Sequence, residues 1–161
     1  MSDRPDIADP VVNPDGRQSP TAAAVQRGTG RMLLSAGFTS ISELSLVNGR
    51  RADLIAINAK GEIWIVEIKS SPADYLSDHK WHDYMAYCDR FYFAIPPDMD
   101  PGLIDETAGL MIADAWGAEI VREASEAKLS GARRKAVTLL LARSASLRLQ
   151  TTIDPNANGI L

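Results

Sequence analysis

The chain has 161 residues, of which 45% are hydrophobic and 24% are charged, with one cysteine and a formal net charge of -4. This length suits one compact domain with a sizeable core, and a single cysteine excludes a disulfide framework and any multi-cysteine zinc or iron–sulfur site. No apolar run approaches the roughly 20 residues that a membrane span needs, and no basic-then-apolar leader opens the chain, so we expect a soluble cytoplasmic protein without a membrane partner. Taken alone, the acidic balance would argue against a nucleic-acid partner.

Both ends of the chain are rich in turn-forming and polar residues and show no amphipathic period. We therefore expect residues 1–18 to form a mobile N-terminal arm and residues 150–161 to form a C-terminal tail. The intervening residues 19–149 would then form a single domain.

A helix is predicted directly after the N-terminal arm. Ser19, which precedes a proline, provides a helix start, and Gly37 provides a helix end. These two signals predict a helix over residues 22–36, although Gly28 and Gly30 weaken the helical pattern.

Extended and helical segments follow each other through the rest of the chain. The predicted strands are 41–47, 52–57, 62–69, 90–95, 110–113 and 119–121. The further predicted helices are 74–88, with a bend near Ser77, a short one near 103–107, and 132–148. Strands joined by hairpins, followed by strands that alternate with helices, predict an α/β fold with a central mixed β-sheet flanked by helices.

The second hairpin has a turn whose chemistry sets the strand register. Asn58 suits the first position of a type I turn, and Gly61 suits the left-handed position of a G1 bulge. A three-residue loop then closes the pair Asn58–Glu62, and counting back along both strands places Asp53 opposite Glu67. Both faces of the hairpin are apolar, so we expect it to lie inside the sheet and to be covered on both sides.

Charged residues at the open end of this hairpin share one face. Glu67 and Lys69 are two residues apart on one strand, and Asp53 lies across from Glu67. Opposed carboxylates are unfavourable unless positive charge lies between them, and a divalent cation would supply it, with the Ile68 carbonyl as a third ligand. This arrangement fits metal-assisted phosphodiester hydrolysis. The alternative is a plain charge cluster, in which Lys69 and Arg51 neutralise the two carboxylates.

The residues around this pair resemble a known nuclease signature. Residues 49–55 (GRRADLI), followed after the hairpin by residues 65–71 (IVEIKSS), resemble the PD-(D/E)XK nuclease superfamily. Residues 51–97 are similar to the MmcB-like family of bacterial DNA-repair endonucleases, and the likeness extends more loosely over residues 20–148. Ala52 stands where the superfamily's name has a proline, a departure that is common among its members.

The resemblance implies a restriction-endonuclease-like fold for residues 19–149, which would be a nuclease-like domain. It implies that Asp53 and Glu67 are ligands of Mg²⁺ or Mn²⁺ and that Lys69 is the catalytic lysine. Some members of the superfamily carry a further Glu on an N-terminal helix, which the predicted helix here lacks.

Glu43, on the first predicted strand, is a further metal-ligand candidate whose position depends on the first hairpin. A two-residue turn at Asn48-Gly49 would pair Val47 with Arg50 and point Glu43 to the face opposite Asp53. A loop one residue longer would bring Glu43 to the same face as Asp53. Turn chemistry favours the first register, and the resemblance favours the second.

Residues near the predicted site are candidates for substrate contacts. Lys80 and Tyr84 are four apart in the predicted helix 74–88, so they would share a helix face, and their spacing is similar to a Gln-x-x-x-Tyr element of some relatives. The alternative is a lysine stem that covers an apolar face beside a core tyrosine. Ser70, which follows the catalytic lysine, could bind phosphate or cap the next turn. Arg51, next to the metal site, is a fourth candidate.

Positive charge is concentrated late in the chain. Acidic residues outnumber basic ones between 51 and 121, and basic residues outnumber acidic ones between 122 and 161. The last predicted helix carries Arg133, Arg134, Lys135, Arg143 and Arg148. We interpret its basic face either as a solvated surface or as a contact to the DNA backbone. Trp116, next to a glycine, is a candidate for an exposed aromatic residue.

Taken together, these observations predict a bacterial Mg²⁺- or Mn²⁺-dependent DNA endonuclease, cytoplasmic and associated with the nucleoid when it acts, with DNA repair as its role. DNA is the expected partner, with other repair proteins alongside it, and a homodimer would allow a domain of this size to cut two strands. The main alternative is a catalytically silent DNA-structure-binding module of the same fold. A third is a metal-free scaffold whose acidic cluster is purely electrostatic.

Overall fold

A computed structural model of the chain describes residues 18–157. Within this range the strands are β1 (Phe38–Ser45), β2 (Arg51–Asn58), β3 (Ile63–Ile68), β4 (Arg90–Ile95), β5 (Gly109–Ala113) and β6 (Ala118–Arg122). The α-helices are α1 (Pro20–Ser35), α2 (Pro72–Leu76) and α3 (Gly131–Ile153), and 3₁₀ helices cover Trp81–Tyr87 and Pro101–Leu103. The predicted arm lies outside the described residues except for Gln18, and so do the last four residues of the predicted tail.

The strands form one sheet in the order β1-β2-β3-β4-β5-β6. The pairs β3–β4 and β4–β5 are parallel, and the other three pairs are antiparallel. The prediction of an α/β fold with a mixed sheet flanked by helices is therefore confirmed. None of the helices between residues 18 and 157 is long and apolar enough to cross a membrane.

Apolar side chains cover β2 and β3 on both faces, as predicted. On one face, Ile55 and Ile65 belong to a buried cluster that includes Trp81 of the 3₁₀ helix and Val137 of α3. On the other face, a second buried cluster joins Leu54, Val66 and Tyr92 to Val25 and Leu33 of α1. The hairpin thus lies between two helical layers.

The start of α1 follows the local sequence signals. The Ser19 side chain accepts a hydrogen bond from the Ala22 N–H at 3.1 Å, and a proline occupies the first helical position. Gly28 faces the turn between β5 and β6 so closely that a Cβ atom there would lie 1.8 Å from the Asp114 carbonyl oxygen. The glycine that weakens the helical pattern therefore permits α1 to contact this turn.

Four predicted elements differ from the structure. The short helix predicted near 103–107 is the 3₁₀ helix Pro101–Leu103, which ends before most of the predicted range. Strand β1 begins three residues before the predicted start. The predicted helix 74–88 is two separate elements, because α2 ends at Leu76 and the 3₁₀ helix begins at Trp81. Between them, the Asp78 carboxylate accepts the Lys80 N–H at 2.9 Å, and this local bond competes with helical pairing. Helix α3 continues past the predicted end at 148 to Ile153, since no breaker precedes the Asp-Pro pair at 154–155.

The first hairpin has the longer loop of the second predicted alternative, but its strand pairing is shifted from the predicted Val47–Arg51 pair. The Leu46 N–H binds the Arg50 carbonyl at 2.7 Å, so the loop has three residues and ends at Gly49, whose φ is 84°. An Asn-Gly pair serves this loop as well as a two-residue turn, which is why turn chemistry misled the prediction. In the observed register Glu43 lies opposite Asp53, between the flanking pairs of β1 and β2.

Candidate metal and catalytic site

The two predicted metal ligands meet where β2 and β3 cease to pair. Their ladder runs from Ile57–Ile63 to Leu54–Val66, as the turn chemistry predicts. One residue further, the Asp53 N–H donates to Glu67 Oε1 at 3.0 Å, and the Ile68 N–H donates to Asp53 Oδ2 at 2.8 Å. The strand ends are therefore joined through the two carboxylates, which the structure places side by side.

Glu67 is poorly suited to carry its charge without a cation beside it. The residue is 1% exposed. Burial, and after it the charge of Asp53, raises the pKa of Glu67 well above its ordinary value. The two carboxyl groups are also in hydrogen-bond contact. Such a pair is stable when it shares a proton or binds a divalent cation.

The donor set fits Mg²⁺ or Mn²⁺ better than a metal that needs a complete protein cage. Between residues 18 and 157, no group of three or more His, Cys, Asp or Glu side chains forms a metal-binding cluster. Mg²⁺ is commonly held by one or two carboxylates and takes its remaining ligands from water and substrate phosphate. Asp53 and Glu67, with the predicted Ile68 carbonyl, match this requirement.

Lys69 is buried and bound by two carboxylates that sequence reasoning missed. Its Nζ lies 3.0 Å from Asp78 Oδ2 and 3.9 Å from Asp74 Oδ1, and the residue is 1% exposed. Burial opposes the ammonium charge, but Asp78 and Asp74 outweigh it and raise the pKa of Lys69. Lys69 is therefore a fixed positive charge next to the carboxylate pair.

A capped helical turn brings one of these carboxylates to the lysine. Ser71 caps α2 by accepting the Asp74 N–H at 3.1 Å, and Asp74 in turn accepts the Ser70 N–H at 3.0 Å. The Ser71-Pro72 pair is a helix start that could have revealed α2. That Asp74 turns back to Lys69 depends on the path of the chain after β3, which has no local signature.

Tyr84 lies at the site, whereas Lys80 does not share a helix face with it. The Tyr84 hydroxyl donates to the Arg51 carbonyl at 2.8 Å and is within hydrogen-bond reach of Glu67. Burial, with the charges of Glu67 and Asp53, raises the pKa of Tyr84, so its phenol stays protonated. The prediction that Lys80 and Tyr84 are neighbours on an α-helix is wrong, because Lys80 is exposed and precedes the 3₁₀ helix that holds Tyr84.

Glu43 reaches the register position opposite Asp53 but has an unusual backbone. Its φ is 54°, in the left-handed region that is uncommon for residues other than glycine. Its carboxylate lies 3.6 Å from the Arg51 guanidinium. The Glu43 carbonyl accepts a hydrogen bond from Arg148 of α3 at 2.9 Å. The observed contacts thus join Glu43 to two arginines, and its role as a metal ligand stays a prediction.

Three of the basic residues of α3 make contacts within the fold. Arg134 binds the buried Asp89 carboxylate at 2.6 and 2.8 Å, and Arg133 stacks 4.6 Å from the centre of the Tyr87 ring. Arg148 binds carbonyl groups of β1. Part of the basic face of α3 therefore stabilises the fold. The pattern of charges in the sequence cannot distinguish such arginines from those of a DNA-binding surface.

Comparisons with known proteins identify the family of this chain. The model of the MmcB-like family, described as DNA repair protein MmcB-like, matches residues 9–156. The chain belongs to this family. A similar solved structure is the SPO1766 protein of unknown function from Silicibacter pomeroyi, whose sequence is 42% identical to this chain. The two structures superpose with a TM-score of 0.83, and the match covers 88% of this chain and 97% of that protein. No curated protein gives a significant match. The predicted family is thus confirmed, and membership of the PD-(D/E)XK superfamily stays a prediction.

Proposed function

We propose that this protein is a divalent-metal-dependent nuclease that hydrolyses phosphodiester bonds in DNA. The observation that carries the proposal is the pair of main-chain hydrogen bonds that place the Asp53 and Glu67 carboxylates side by side at the ends of β2 and β3. The membership of this chain in a DNA repair family supports DNA as the substrate. The buried cationic Lys69, two residues beyond Glu67, completes the set of groups that this chemistry needs.

Asp53 and Glu67 would hold the metal ion, with the Ile68 carbonyl as a third protein ligand. When bound, Mg²⁺ or Mn²⁺ supplies Lewis acidity toward a phosphate oxygen and lowers the pKa of a bound water. The Ile68 and Asp53 N–H groups orient the two carboxylates, each through one oxygen. Orientation by main-chain donors keeps the carboxylates in place before substrate arrives.

Lys69 would act through its charge rather than as a proton acceptor. Because Asp78 and Asp74 raise its pKa, Lys69 is an ammonium at neutral pH and has no lone pair to accept a proton. An ammonium near the reacting phosphate offsets the negative charge that develops in the transition state. Asp78 and Asp74 hold its Nζ in one place and are positioning residues for it.

The remaining predicted contacts divide into two groups. Tyr84 is a hydroxyl donor beside Glu67 and can orient that carboxylate or a substrate oxygen. Lys80 is exposed, and Arg51 and Ser70 are half-buried. These three residues are within the segments that surround the site, and we propose them as substrate contacts.

Cleavage assays with matched variants test the proposal. The wild type, with Mn²⁺, is incubated with single-stranded, duplex, flapped and branched DNA. We expect cleavage of at least one substrate, its loss in Asp53→Asn, and a loss of about 100- to 1000-fold in Lys69→Met, as for removal of one electrostatic donor. Lys60→Met, an exposed lysine at the far end of the same hairpin, should cleave as the wild type does.

Calorimetry tests the metal site separately from cleavage. Titration of Mn²⁺ into the wild type should give binding heat that Asp53→Ala loses. Equal heats in the two proteins would contradict the metal site.

A DNA-structure-binding module without turnover is the second candidate. The observation that favours it is the burial of Lys69 with both Asp74 and Asp78 on its Nζ. Binding to DNA without cleavage of any substrate in the same panel would select this function over nuclease activity.

A further inference from the structure

Helix α1 carries positive charge on a surface that the candidate site does not use. Arg27 and Arg31 are one helical turn apart and both are exposed. No acidic residue occurs within α1. In a chain with a net charge of -4, this helix is a local positive surface.

A polar cavity lies between α1 and β1 beside this surface. Its volume is about 390 Å³, and its lining includes Gln26, Arg27, Ser40 and Ser42. These side chains offer a guanidinium, an amide and two hydroxyls, and no carboxylate contributes to the lining. Such a donor set suits the oxygens of a phosphate group.

An exposed aromatic ring continues the surface at the other end of α1. Trp116, in the turn between β5 and β6, is 76% exposed, and the Arg31 guanidinium lies 5.3 Å from the centre of its ring. Gly28 permits the contact of α1 with this turn. Asp114 is the nearest acidic residue in the turn, and its carboxylate is bound by the Trp116 and Gly117 N–H groups. An exposed indole beside a guanidinium is a stacking platform for an unpaired base.

The cavity and the carboxylate pair lie at neighbouring positions of β1 and β2 but on opposite faces of the sheet, because successive residues of a strand alternate between its faces. Ser42 and Leu54 pair with each other and line the cavity, and the next residues toward the site are Glu43 and Asp53. Strand β1 is the edge of the sheet, and the exposed Arg148 lies there on the carbonyls of Ser42 and Glu43. At this edge the Glu43 carboxylate lies 3.6 Å from the Arg51 guanidinium, so Arg148 and Arg51 are the positive groups between the cavity and the site.

We propose that the α1 surface, defined as Gln26, Arg27, Arg31, Ser40, Ser42 and Trp116, binds a single-stranded DNA segment, with a phosphate in the cavity and a base on Trp116. The inference rests on the proposed function, because it assigns a single-stranded extension to the substrate of that site. The segment held by α1 continues around the β1 edge and delivers a phosphodiester to Asp53 and Glu67.

Binding measured without metal tests this inference independently of cleavage. Fluorescence anisotropy of a labelled 20-nucleotide oligothymidylate is followed in EDTA, with a duplex of equal length as comparison. We expect Trp116→Ala to weaken single-strand binding by about 5- to 150-fold, the range for loss of one stacked base, and Trp116→Phe to restore most of it. Arg27→Ala should weaken binding and reduce the slope of log K against log salt by about 0.7.

Controls separate this inference from the proposed function. Lys60→Met, which changes an exposed lysine in the turn of the second hairpin, should bind single strands in EDTA as the wild type does. Unchanged binding in both Trp116→Ala and Arg27→Ala, with their folding verified by circular dichroism, would overturn the α1 surface. Equal losses for duplex DNA would overturn its selectivity for single strands. If the variants lose binding but the wild type cleaves no DNA with Mn²⁺, the surface stands and the nuclease proposal fails.

Discussion

Replacing Glu67 by glutamine should stabilise the metal-free protein. The amide oxygen can keep the bond from the Asp53 N–H, and the amide NH₂ can donate to the Asp53 carboxylate, so a repulsive contact becomes an attractive one. Two unit charges about 4 Å apart repel by about 4 kcal/mol at an effective dielectric constant of about 20. Loss of the charge-assisted part of the N–H bond costs about 1–2 kcal/mol. We therefore expect a net gain of about 2 kcal/mol above the folded pKa of Glu67, where its carboxylate is charged, or about 4–8 °C in Tm.

The pH dependence of this gain identifies Glu67 as its source. Because the pKa of Glu67 is raised in the folded protein, its contribution to wild-type stability is complete below the unfolded pKa and is lost as the pH rises through the folded pKa. The advantage of Glu67→Gln should therefore be smallest near pH 4.5. It should then grow by up to about 1.4 kcal/mol per pH unit and become constant above the folded pKa.

Urea unfolding followed by tryptophan fluorescence, in EDTA, measures the two free energies of unfolding. Glu62→Gln is the matched control, because its carboxylate lies 3.5 Å from Arg90 and the same change removes an attraction. Mn²⁺ at 100 times its Kd should stabilise the wild type by about 2.7 kcal/mol and leave Glu67→Gln unchanged. An equal or lower stability of Glu67→Gln above the folded pKa of Glu67, with an unchanged m-value, would refute the repulsive contact.

Three further predictions follow from contacts described above. Gly28→Ala should lower the free energy of unfolding in urea by about 2–3 kcal/mol, because its Cβ atom would meet the Asp114 carbonyl oxygen. Gly30→Ala is the control, since a Cβ atom there meets open space and the change should be neutral or stabilising. Similar effects of both changes would contradict the close approach of α1 to the turn. Burial opposes ionisation of Asp89, but Arg134 and two main-chain N–H groups lower its pKa to about 2. Asp89→Asn should therefore cost about 3 kcal/mol at pH 7, and the cost should shrink as the pH falls from about 4 toward 2, which chemical denaturation at each pH measures. The apparent affinity for Mn²⁺ in calorimetry should rise with pH up to the folded pKa of Glu67, because the metal displaces a proton from that carboxyl group. An affinity that does not change with pH would show that the metal binds elsewhere.

The sequence predicts the carboxylate pair because the signals that determine it are local. Asn58 and Gly61 define the turn of the second hairpin, and the two-residue period of the strands extends that register to Asp53 and Glu67. The apolar character of both faces likewise predicts an internal hairpin. The positions of both carboxylates thus follow from the second hairpin alone, whereas the fold class follows from the order of strands and helices along the whole chain.

The surroundings of Lys69 could not be predicted in this way. Its partners Asp74 and Asp78 lie in a segment whose apolar spacing suits one helix, and only the bend after α2 brings both carboxylates to the ammonium. The arginines of α3 show the same limit, because Arg134 and Arg148 bind groups that are distant in the sequence. Contacts between distant segments depend on how the helices pack on the sheet, and the order of charged residues in the sequence does not predict them.

The arginine that lies on the carbonyls of Ser42 and Glu43 also affects how this protein meets copies of itself. β1 is an edge strand, and an exposed edge is a template on which another chain can add a strand. Arg148 already binds two of the carbonyl groups that such a strand would need, and the left-handed backbone at Glu43 interrupts the regular extended geometry. Strand addition is therefore disfavoured at the end of β1 next to the carboxylates, which protects the site from edge-to-edge aggregation.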